Sequence, residues 1–151
     1  MNAAHLHLII NHAPLFSALF GTLILIMAMI RNSKELRAVA VALFVFGALT
    51  TVASHLTGDE AEDVVKQISG INLETVKPAI HEHDKASDFA LWSSIIVAVA
   101  STGMFWASHK NSKHLKKLQI VVLILAIHSC TVMMRVAYLG GLIRHTEIQS
   151  S

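Results

Sequence analysis

The sequence predicts an all-α integral membrane protein, a four-helix bundle with both termini on the outer side (N-out, C-out). Three observations predict it. Apolar residues make up 54% of the 151-residue chain and charged residues 15%, too apolar a balance for a soluble domain of this size. Four apolar runs, each roughly 20 residues, match the length a helix needs to cross a hydrocarbon core of about 30 Å. These runs also lack the alternation of barrel strands. Cys130, alone of its kind, excludes an internal disulfide framework and sits in an apolar run as a small buried hydrophobe.

The first span covers about residues 8–30, with Pro14 in its opening turns, where a proline ring is tolerated. It lacks a basic n-region and a small-residue cleavage site, so it reads as an anchor and not as a removed signal. The second span covers about 38–56, after the turn RNSKELR, in which Arg31, Lys34 and Arg37 face Glu35 alone. An outer loop, 57–88, follows. Within it DEAEDVVKQI reads as a short acidic helix with Val64, Val65 and Ile68 on one side, lying as a lid over the bundle mouth. The third span, 89–108, leads into HKNSKHLKK, where Lys110, Lys113, Lys116 and Lys117 meet no acid. The fourth, 118–139, is expected to end at Gly140-Gly141. Residues 1–151 form one domain. The two basic turns share a side, which the positive-inside rule makes cytoplasmic. The termini and the loop then face the periplasm of a bacterial inner membrane.

This orientation sorts the titratable groups. Nine of the ten acids, all but Glu35, fall at or just beneath the outer face, with seven of the ten histidines: His5, His7, His12, His55, His81, His83 and His145. His109 and His114 belong to a basic turn and read as solvated. His128 lies mid-span and reads as a polar contact between helices. Spacing refines the cluster. His5 and His12 share a face; His55, Asp59 and Glu62 follow i, i+4, i+7; His81, Asp84 and Asp88 lie on one stripe and His83 on another; His145 and Glu147 close the fourth span.

Imidazoles beside carboxylates admit three readings. One is a polar cap of His–carboxylate pairs. Another is a transition-metal centre (iron, copper or zinc) built where helix ends converge. The third is a b-type haem with two histidine ligands, for which Gly47, Ala48, Ala86 and Ala90 would make room. The excess of acids weighs against haem. Arg135 lies ten residues before His145, roughly 15 Å inward at helical rise. Arginine at such depth costs about 2.5–3.5 kcal/mol, so a buried pair with Asp88 is expected. Met133 and Met134 read as packing residues.

Four segments together resemble a family of small bacterial four-span inner-membrane proteins: N-H-A-P (Asn11 to Pro14), T-G-D-E-A-E-D-V-V (Thr57 to Val65), H-D (His83-Asp84) and R-V-A-Y-L-G-G-L-I-R-H-T-E-I (Arg135 to Ile148). The resemblance implies motif positions at His12, Glu62, His83, Asp84, Asp88, Arg135, His145 and Glu147. Asp84 and Asp88 stand where the family shows Glu, which shortens reach and keeps the chemistry. His5, His7, His55 and His81 are additions of this chain, and with Asp59 they are the weaker candidates. The resulting expectation is a metal centre with His12, His83 and His145 as ligands. Glu62, Asp84 and Glu147 are its carboxylates and Arg135–Asp88 its supporting pair. A redox or electron-transfer role fits a site where quinones and periplasmic carriers meet, which would make the protein a membrane oxidoreductase or a subunit of one. Beside haem, the alternatives are an ion-coupled transporter and a structural subunit. The expected partners are the lipid bilayer, other membrane subunits or further copies of the chain, and not nucleic acid.

Overall fold

In a computed structural model the backbone is described for residues 10–66 and 73–144, and side chains for 10–58 and 77–143. Four helices follow in order: α1 (His12–Arg31), α2 (Lys34–Lys66), α3 (Leu73–His109) and α4 (Leu115–Arg144). No strand occurs among the described residues. Each helix contains a stretch long and apolar enough to cross a membrane: His12–Arg31, Lys34–Gly58, Lys77–His109 and Leu115–Ile143. Successive helices pack side by side, and α4 closes the ring against α1.

The buried positions explain the packing. On α1 they include Pro14, Ala18, Gly21, Leu25 and Ala28. On α2 they include Arg37, Ala40, Phe44, Gly47 and Thr51. Ala90, Ser94, Val97, Ser101, Met104 and Ser108 follow on α3, and Gln119, Val122, Ala126, Ser129 and Met133 on α4. Every seam advances by alternate steps of three and four residues, the 3.5-residue repeat that keeps one stripe facing a left-handed bundle. Small residues let the helices approach closely. A Cβ on Gly21 would stand 2.7 Å from Phe44 Cε1, and one on Gly47 would stand 3.0 Å from Ser17 Cβ. Large apolar side chains point outward instead, among them Phe20, Leu49, Phe89, Val99 and Ile124. Trp92 and Tyr138 are exposed toward one end, and Trp106 toward the other with Lys110 Nζ 4.8 Å from its ring centroid. Such aromatic positions suit the two water interfaces of a bilayer.

The two short turns are built alike. Asn32 and Asn111 both take φ 48°, the left-handed conformation that stops a helix. Each precedes a serine that accepts a backbone N–H of the next segment, Leu36 N to Ser33 Oγ at 3.1 Å and His114 N to Ser112 Oγ at 3.2 Å. Lys34 Nζ donates to Asn111 Oδ1 at 3.4 Å and joins the two turns.

The structure departs from expectation in four places. The acidic segment expected as a separate short helix in an outer loop instead continues α2, which runs on to Lys66, and α3 starts at Leu73, with Pro78 inside it. DEAEDVVK contains helix formers and no proline, so the helix has no local reason to stop at the membrane. Gly140-Gly141 does not end α4, which continues to Arg144. His128 lies on the exposed face of α4 and makes no helix contact through the bundle interior. Arg37, read as a loop cation, is 2% exposed.

Candidate functional site

The open end of the bundle, opposite the short turns, gathers the candidate groups. α1 begins there at the exposed His12, three residues before the half-buried Leu15, which packs on the cluster of Ala18, Ala90 and Met133. Around it α2, α3 and α4 bring His55, the stretch 81–88, and 135–140.

His83 is the best-anchored of these residues. Its Nδ1 lies 3.1 Å from the backbone carbonyl oxygen of Val136 on α4. A carbonyl only accepts, so Nδ1 carries a proton and donates it. In the neutral ring the basic nitrogen is then Nε2, the form in which many ligating histidines are held. Gly140 makes this contact possible. A Cβ there would stand 3.3 Å from His83 Cε1 and 3.6 Å from Nδ1, so glycine leaves the ring a seat beside the carbonyl. The helix keeps a residue that costs about 1 kcal/mol relative to alanine. Its place in the seam, four residues after Val136, was readable in the sequence, but the pair with Gly141 looked like a terminus.

The ion pairs are arranged differently from expectation. Asp88 Oδ1 lies 3.7 Å from His55 Nε2, across α3 and α2. Arg135 Nη2 reaches Glu82 Oε2 at 3.5 Å, and Glu82 Oε1 also takes Lys85 Nζ at 3.5 Å. Arg135 therefore does not pair with Asp88, and its side chain is 66% exposed. Charged and long, it meets Glu82 on the outer surface of the bundle, where Arg135 needs no buried counter-ion. Glu82 and His81 are exposed as expected, and Glu82 acquires a partner. His55, a weaker candidate, is half-buried and bridges two helices.

Asp84 is exposed, and its backbone carbonyl accepts the Ser87 hydroxyl at 2.7 Å. Among the described residues, no three His, Cys, Asp or Glu side chains stand close enough to share a metal ion. His5, His145 and Glu147 lie outside the described residues, and so do the side chains of Asp59 and Glu62, although α2 runs through both. The structure thus joins His83 to α4 and His55 to Asp88, with His12, His81 and Asp84 exposed at the same end.

Deeper in the bundle, Pro14, Ala18, Gly47, Ser94, Ser129 and Met133 line a small cavity with about 10 Å³ open to a water centre. That is about the space of one water. Ser93 and Ser129 hydroxyls meet at 3.2 Å beside it. Gly47 and Ala48 are buried in helix contacts, as are Ala86 and Ala90, and none opens a slot of porphyrin size.

No family model, curated protein or solved structure matches the chain.

Proposed function

We propose that this multi-pass membrane protein holds a first-row transition metal ion at the open end of its bundle. His83 Nε2 is the anchoring ligand, with His12 and His145 completing the imidazole set and Glu62, Asp84 and Glu147 supplying carboxylate. The observation that carries this reading is the His83–Val136 contact with its glycine seat. It holds the ring in one orientation and one tautomer at the open end, as the partners of ligating histidines commonly do.

The proposed role is one-electron transfer between a quinone in the membrane and a carrier at the outer surface, with iron or copper as the metal. Zinc would fit the same donors and would make the centre structural or hydrolytic. The basic turns support placing the opposite end in the cytoplasm of a bacterial inner membrane. The resemblance in the four quoted segments remains part of the proposal. A bis-histidine haem is the weaker reading, because the small residues that would admit a porphyrin are taken up by helix packing.

Elemental analysis and one absorption spectrum of the purified full-length protein test this. Stoichiometric metal without a Soret band supports the metal centre. A Soret band establishes haem in its place. Neither signal contradicts both redox readings and leaves ion-coupled transport or a structural subunit.

A further inference from the structure

At the end that carries the short turns, the seams become polar. Leu25, Ala40, Met104 and Val122 belong to one apolar cluster. One seam step nearer the turns stand Ala28, Arg37, Ser108 and Gln119, exposed by 0%, 2%, 1% and 4%. The guanidinium donates from Nη1 to Ser108 Oγ at 2.9 Å and from Nη2 to Asn32 Oδ1. Both acceptors are neutral. Arg37 Nε and Gln119 Nε2, both buried donors, have no hydrogen-bond partner among the described residues.

No anionic group is hydrogen-bonded to this cation among the described residues. Arginine stays protonated throughout the physiological range, so deprotonation does not relieve the layer. Helix dipoles cancel: α1 and α3 bring their negative C-terminal ends here, while α2 and α4 bring positive N-terminal ends. Glu35, two residues before Arg37, feels that charge but is exposed, and its carboxylate accepts the Ser33 hydroxyl at 2.7 Å and not a guanidinium N–H. A buried guanidinium whose hydrogen-bond acceptors are all neutral is disfavoured, and two unmatched buried N–H donors, its own Nε and Gln119 Nε2, suit an anionic acceptor.

We propose that this layer binds one small inorganic anion from the aqueous phase at the short-turn end. The Arg37 Nε–H and the Gln119 amide are its donors. The anion is halide-sized and monovalent, because the four residues of the layer are at most 4% exposed and leave little room. The site is separate from the open end and independent of the metal proposal.

The test unfolds the full-length protein thermally in a neutral maltoside micelle while chloride is exchanged for gluconate at constant ionic strength. The midpoint falls by several degrees as chloride is withdrawn, and its dependence on chloride saturates. Gln119→Glu supplies a carboxylate from within, which raises the midpoint in gluconate and removes the chloride dependence. Arg37→Gln removes the charge and with it the chloride dependence; if that variant does not fold, Gln119→Glu decides alone. A wild-type midpoint equal in the two salts overturns the proposal, as does chloride dependence that persists in Gln119→Glu. A midpoint raised by phosphatidylglycerol and indifferent to chloride assigns the cation to a lipid phosphate, and overturns it too.

Discussion

His83 on α3 and Gly140 on α4 fit each other: the glycine lacks the one carbon that would stand 3.3 Å from the imidazole Cε1. The ring therefore reaches the Val136 carbonyl at 3.1 Å and holds two helices together at the open end of the bundle.

Gly140→Ala crowds that seat by a few tenths of an ångström. The gain in helix propensity, about 1 kcal/mol, offsets most of the lost contact, so thermal stability changes little. Metal affinity falls roughly 10–100-fold, the usual cost of disturbing a residue that orients a ligand. Isothermal titration with the metal found in the wild-type protein, beside a thermal melt, separates the two effects. Unchanged affinity would make the glycine a packing residue only.

Arg135 and Arg37, whose burial is the reverse of what the sequence suggests, should behave oppositely. Arg135 meets Glu82 on an exposed surface, and Arg135→Gln is expected to cost under about 1 kcal/mol. Arg37 is enclosed and bonded to Ser108 and Asn32, and Arg37→Gln is expected to cost about 2–4 kcal/mol. Denaturant or thermal midpoints of the two variants in the same micelle measure the contrast. Equal losses would contradict the burial described here.

Gly21→Ala places a Cβ against the Phe44 ring, 2.7 Å from Cε1. Phe44 is 4% exposed and has little room to move, so the variant loses about 1–3 kcal/mol. Phe44→Leu removes the clashing ring, and in that background Gly21→Ala should be close to neutral. A double-mutant cycle reads the coupling directly; additivity would mean that α1 and α2 do not meet at this pair.

The sequence made the four helices legible because length and hydropathy are properties of whole segments. It placed the short turns for the same reason, because RNSKELR and HKNSKHLKK interrupt the apolar runs; the left-handed asparagines and serine caps within them emerged only with the structure. Side-chain partners were less legible. Arg135 and Asp88 are near in depth, but their helix faces differ, and depth alone suggested a pair that rotation forbids. Arg37 looked like one more basic loop residue. The three-four spacing from Arg37 through Ala40, Phe44, Gly47 and Thr51 was the available sign that it lies on the buried stripe. Gly140 continued the α4 stripe in the same way, yet its neighbour Gly141 resembled a helix end. Seam position, more than residue type, decided which polar groups turn inward.

The central claim is that His83 holds a metal ion, and the metal content of His83→Ala against the wild-type protein tests it most directly. Both proteins are purified alike, checked for the same helix content by circular dichroism, and analysed for bound metal. The account predicts near-stoichiometric metal in the wild type and its loss in a folded His83→Ala. Equal metal content in the two proteins, or none in the wild type even after reconstitution, would contradict it.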